Sequence, residues 1–212
     1  MKKLFLASIF AEVAELLPDF MGEDVSVKKA LFITTAALYP WAGEEKDTLD
    51  EIIGTDRDAL QSLGLLVEEL DVASVSAETI EKGIANTDYI FACGGDSFYL
   101  LQELRRKGTD KLIIKHINKG KLYMATSAGA IILQKDIVDD GIEKPEFAIG
   151  LNGDFSALGI IDFYMYVHYG SHYWGDDDEC ICKFYDKLNY VKISDKQAVT
   201  VNGDDVQIVT AL

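Results

Sequence analysis

The sequence predicts an α/β protein: a mostly parallel sheet with helices on both faces and a small antiparallel extension at the C-terminal end. Three observations predict it. Short, continuously apolar runs alternate with segments of helical periodicity up to about residue 140, a pattern of strands buried on both faces. The apolar runs end at glycine or small-residue corners. Beyond residue 140 the helical segments give way to closely spaced short strands.

The elements follow in order. Lys3 to Ala7 reads as the first strand and Ala30 to Thr35 as the second. Asp47 to Leu63 carries Leu49, Ile52, Ile53, Leu60 and Leu63 at helical spacing. Leu65 to Leu70 is a strand leading to a helix over Ala77 to Ala85, which Ser76 is placed to cap. Tyr89 to Cys93 is a buried strand, followed by Gly94-Gly95 and a helix from Ser97 to Lys107. Lys111 to Asn118 is helical, Lys121 to Thr126 is a strand, and Ala130 to Leu133 begins another buried helix. Phe163 to Tyr169, Val191 to Ser194, Ala198 to Val201 and Val206 to Thr210 form the expected antiparallel extension, with a helix over Glu179 to Leu188.

With three prolines and no low-complexity tract, long linker or internal repeat, residues 1–212 are expected to fold as one domain. The net charge is −16, from 36 acidic and 20 basic residues, opposite to what phosphate neutralisation requires, so nucleic acid is not an expected partner. Cys93, Cys180 and Cys182 are an odd set and no disulfide framework, which fits a reducing compartment. The start, Met1-Lys2-Lys3 and then Leu4 to Ala11, imitates a signal peptide, but Glu12 and Glu15 cut it short. No apolar run reaches membrane-spanning length. The expectation is a cytoplasmic protein.

Chemistry concentrates at two corners. Ser127-Ala128-Gly129-Ala130 puts a hydroxyl at a strand-to-helix turn lined with minimal side chains, the kind of corner that carries nucleophiles. A serine needs a base, usually histidine. His116 lies in the helical segment Leu112 to Ile117 and reads as a helix-surface residue; His168 ends an apolar strand at a sheet rim; His172 follows in a loop. An acyl-transfer site also needs backbone donors for an oxyanion, and Gly95 and Ala128 are placed to supply them.

Cys93-Gly94-Gly95-Asp96-Ser97-Phe98-Tyr99-Leu100-Leu101, then Thr126-Ser127-Ala128-Gly129-Ala130, then Asp162 to His168 resemble the peptidase E (aspartyl dipeptidase) and cyanophycinase family of serine peptidases over roughly residues 88 to 201. The resemblance implies a flavodoxin-like fold related to class I glutamine amidotransferases. It also implies Ser127 as nucleophile, His168 as base, and Gly95 with Ala128 as oxyanion donors. The stretch Tyr190 to Val199 resembles the family segment that brings an acid behind the histidine, which would make Asp195 the third member; Asp140 resembles another acidic position linked to activity. The implied activity is a cofactor-free serine exopeptidase of dipeptidase type acting on small peptides, as a monomer or homodimer.

Two departures qualify it. Ala125 stands where relatives often carry glycine. The loop Gly175-Asp176-Asp177-Asp178-Glu179 lacks the arginine that pairs with a substrate aspartate, so strict Asp-Xaa specificity is not expected. Two other classes remain open: a catalytically inactive binding protein on the same fold, and a metal site built from His168, His172, Cys180 and Cys182.

Overall fold

Wholly apolar strands demand cover on both faces, and the structure supplies it. The computed structural model describes residues 1–138, 143–171 and 187–212. Strands β1 (Lys3–Ala7), β2 (Lys29–Ile33), β3 (Leu66–Leu70), β4 (Tyr89–Ala92), β5 (Leu122–Thr126), β8 (Gln197–Asn202) and β9 (Asp205–Thr210) form one seven-stranded sheet in the order β3-β2-β4-β5-β1-β8-β9. The first five are parallel, and β8 and β9 run antiparallel beyond β1. β4 and β5 are buried along their whole length, whereas the edge strand β3 exposes Glu68 and Glu69, charges that discourage pairing with another chain.

The helices are α1 (Leu17–Met21), α2 (Lys46–Ser62), α3 (Ala77–Asn86), α4 (Ser97–Lys107), α5 (Thr109–Asn118) and α6 (Ala128–Ile131). Their ends follow local chemistry. The Ser76 hydroxyl accepts from the Thr79 amide at 3.2 Å to start α3, and the Asp96 carboxylate accepts from the Tyr99 amide at 2.8 Å to start α4. Gly108, in the left-handed region, ends α4. His116 is not on the surface: it is 3% exposed, its Nε2 lies 3.1 Å from the Leu122 carbonyl, and burial pushes its pKa down to about 4. The apolar face of α5 includes it because one ring nitrogen finds a backbone partner there.

Register decides where the site lies. Ala7 pairs with Thr126 and Ala92 with Ala125, so β1, β4 and β5 end level. Ser8, Gly94-Gly95 and Ser127 therefore leave the sheet side by side. The chain passes from β3 over β2 to β4, so the connections diverge near these carboxyl ends, where open α/β sheets collect ligands. Antiparallel β8 begins beside the end of β1, Ala7 opposite Ala198, which carries the preceding turn with Asp195 to the same edge. Phe10, packed edge-on to Phe5 and Phe91, pins the chain just after Ser8.

One expected feature is corrected. β6 (Tyr164–Tyr166) and β7 (Tyr190–Lys192) do not join the antiparallel extension; they pair in parallel as a separate two-stranded sheet. A parallel pair needs a long crossover, and the stretch 167–189 is long enough to make one. Among the described residues, only β8 and β9 form the antiparallel extension.

Candidate active site

Ser127 leaves β5 with φ 47° and ψ −110°, a conformation that costs a non-glycine residue about 1–3 kcal/mol. Hydrogen bonds hold it there. Its amide donates to the Ala7 carbonyl at 3.0 Å, and its carbonyl accepts from Ala130 at 2.8 Å and Ile131 at 3.0 Å. The small residues that follow have a packing reason: a Cβ on Gly129 would lie 2.3 Å from the Ala92 carbonyl oxygen. Glycine there lets the single turn of α6 press against β4 and aim the Ser127 side chain outward.

His168 also has a positive φ, 59°. Its Nε2 lies 3.1 Å from Ser127 Oγ, and its Nδ1 lies 2.7 Å from Asp195 Oδ1. A carboxylate only accepts, so Nδ1 carries the proton and the lone pair of Nε2 faces the serine. Burial works against ionised Asp195, but the hydrogen bond from His168, electrostatic attraction to that ring, and hydrogen bonds from Ser8 and Ser171 outweigh it and hold the carboxyl below its ordinary value. The acid thus stays negative behind the imidazole.

Ser8 is the participant that sequence reasoning missed. Wholly buried at the end of β1, its hydroxyl donates to Asp195 Oδ1 at 2.9 Å and accepts from the His168 amide at 2.7 Å. Its oxygen is also 3.1 Å from His168 Nδ1. A serine closing an apolar strand is the one signal it offered, and its meaning depends on the β1–β5 register.

Gly95 forms the facing wall. Its φ is 132°, and a Cβ there would lie 2.1 Å from the Ala36 carbonyl oxygen, so no other residue fits without moving backbone. The Cβ position of Gly94 lies 3.4 Å from that of Ser127, which puts the glycine turn against the serine. Ala128, buried, is the first residue of α6. Beside them opens a cavity of about 630 Å³, lined by Ser127, His168, Gly94, Gly95 and a wall that includes Tyr39 and Trp41. Trp41 Nε1 donates to Asp96 Oδ2 at 3.0 Å. Glu143 receives both the amide and the hydroxyl of Ser97. Cys93, just before the glycines, is wholly buried, and burial raises its thiol pKa far above neutrality; it is no rival nucleophile.

Ser127, His168 and Asp195 are thus brought together, with Gly95 and Ala128 around them. Asp140, the alternative acid, lies outside the described residues, and so do the expected metal ligands His172, Cys180 and Cys182, the loop Gly175 to Glu179 and most of the helix expected over Glu179 to Leu188. His168, shared by the metal reading, has its two ring nitrogens facing Ser127 and Asp195 instead.

The profile of peptidase family S51 matches residues 5–209. An uncharacterized peptidase of Listeria monocytogenes is 35% identical over 211 residues, 97% of each chain. A peptidase E of Salmonella arizonae is 30% identical over 135 residues, 64% of this chain and 55% of its own. A crystal structure from Listeria monocytogenes, described as that of a candidate peptidase E protein, superimposes with a TM-score of 0.88 at 34% identity, each chain covered completely.

Proposed function

Since the chain belongs to peptidase family S51, we propose that it is a serine exopeptidase that hydrolyses small peptides through an acyl-enzyme on Ser127. The observation that carries this reading is the unbroken line from Ser127 Oγ through the His168 ring to Asp195, with 3.1 Å and 2.7 Å separations. Both fall within the range in which a base takes a hydroxyl proton and is oriented by a third group.

The geometry supports the following steps. Ser127 Oγ attacks the scissile carbonyl carbon while its proton passes to His168 Nε2. The negative oxygen of the tetrahedral intermediate is received by the Gly95 and Ala128 amides. His168 then gives the proton to the leaving amine, and the acyl-enzyme forms. A water molecule, deprotonated by the same nitrogen, releases the acid and restores the serine. Asp195 stabilises the imidazolium, and Ser8 holds Asp195 and the His168 backbone in position. No step calls for a cofactor.

Incubation of the protein with a dipeptide library tests the reading, with Ser127→Ala as control. Release of amino acids by the wild type and its loss in the variant is expected. Hydrolysis that survives in Ser127→Ala would overturn the assignment. An active-site serine reagent should label the wild type at Ser127 and leave the variant unmodified.

A further inference from the structure

The cavity beside Ser127 contains a carboxyl that the mechanism above does not use. Asp56, on α2, is 2% exposed. Its Oδ1 accepts from the Thr126 hydroxyl at 3.3 Å, so it sits directly behind the residue that precedes Ser127. Its Oδ2, itself shielded from solvent, has no hydrogen-bond partner among the described residues, and Asp56 is among the residues that line the cavity. Burial lifts its pKa to about 7, which the Thr126 bond offsets only in part. A buried carboxyl with an unused oxygen is costly to a fold, and a cation entering the cavity would complete it.

The surroundings favour that cation. Six carboxylates line the cavity, and Lys144 is the one ammonium among its described lining residues. Three of the six are already engaged: Asp96 caps α4, Glu143 takes Ser97, and Glu45 takes the Tyr39 hydroxyl. Glu12 and Glu51 are exposed at the periphery. Among the described lining residues, Asp56 alone is both buried and half-satisfied. Tyr39 and Trp41 line the cavity with aromatic rings, to which cations are drawn, and Leu49 and Ile52 offer apolar surface for an aliphatic stem.

We propose that Asp56 anchors a primary ammonium group of the substrate in this cavity, so that the site selects peptides with a free amino terminus or a basic first side chain over acidic ones. The proposal rests on the serine-peptidase reading only for placing the substrate at Ser127; binding can be measured without turnover.

The test is calorimetric titration of the full-length protein with lysine amide, norleucine amide and the Nα-acetyl derivative of each. These near-isosteric ligands carry two ammonium groups, the α-ammonium alone, the side-chain ammonium alone, or neither. Lysine amide should bind at least about tenfold more tightly than Nα-acetyl-norleucine amide, a difference of about 1.4 kcal/mol. The two singly charged ligands tell which ammonium Asp56 receives. Asp56→Asn should erase most of that preference and leave the uncharged ligand unchanged. Should Asp56→Asn fail to fold, the Asp56 carboxyl-carbon resonance of the wild type decides: its titration midpoint should fall with lysine amide and stay put with the uncharged ligand. Equal binding of charged and uncharged ligands, or a preference that survives Asp56→Asn, overturns the proposal. So does tighter binding of Nα-acetyl-aspartate amide, which would put Lys144 in command of the cavity. Ammonium selectivity without any peptide hydrolysis would instead remove the serine-peptidase reading and leave the subsite standing.

Discussion

The backbone of Ser127, at φ 47° and ψ −110°, is one that glycine holds without steric cost. Ser127→Gly is therefore expected to raise stability by about 1 kcal/mol while abolishing turnover. Ser127→Ala should lose activity on the order of a thousandfold or more without that gain. Thermal unfolding and initial rates on the same preparations check both. Ser8→Ala makes a subtler prediction. It removes a donor to Asp195 and the hydroxyl acceptor of the part-buried His168 amide, at a cost of roughly 1–3 kcal/mol of stability. It should lower kcat by about tenfold while leaving KM nearly unchanged, because the hydroxyl orients the imidazole-acid pair. A change confined to KM would refute this positioning role. The contrast with Ser127, His168 and Asp195 shows what residue types disclose. Each of those three sits in a stretch that resembles a family motif, whereas Ser8, though at a strand end, becomes meaningful only when β1 lies beside β5. Asp56 was equally silent, one acid among 36 on a helix whose buried face is otherwise apolar.

At the level of elements, α2 carries a destabilising charge that should be visible in the pH dependence of stability. The Asp56 pKa of about 7 in the folded protein lies above the ordinary 3.8, so between those values the folded state holds more protons than the unfolded state. Stability from this group therefore falls as pH rises through that window, by roughly 4 kcal/mol in all. His116 acts the other way: its folded pKa of about 4 lies below 6.5, so stability rises with pH between those values. The two oppose each other in mildly acidic solution, and above neutrality the Asp56 penalty is fully present and no longer changes with pH. Asp56→Asn should then raise Tm clearly near pH 8 and little or not at all near pH 4. A Tm gain independent of pH would show that the carboxyl is not ionising in place. The elements themselves were largely legible, since α3 begins at the Ser76 cap its sequence announces and α4 at the expected Ser97. The pairing of β6 with β7 was not. Strand character can be read from apolar alternation, but a partner across a long crossover leaves no local mark.

Over the whole molecule, the alternation of apolar runs and helical segments made the parallel sheet readable, because strands covered on both faces cannot hide their composition. The strand order was not readable, and it is the order that sets β1 beside β5 and completes the site. The charge of −16 adds a field on the same scale. Acidic walls around a cleft concentrate cations and speed their arrival, an effect that salt suppresses. The Debye length shrinks from about 30 Å at 0.01 M salt to about 3 Å at 1 M. Raising salt should therefore weaken the apparent affinity for lysine amide severalfold and leave Nα-acetyl-norleucine amide unmoved. The buried contact with Asp56 is shielded from salt far better than the surface field. Part of the preference for the cation should accordingly persist at high salt in the wild type and vanish in Asp56→Asn. If instead the whole preference disappears with salt in the wild type, the long-range field alone selects cations, and the orphan oxygen of Asp56 has no part in recognition.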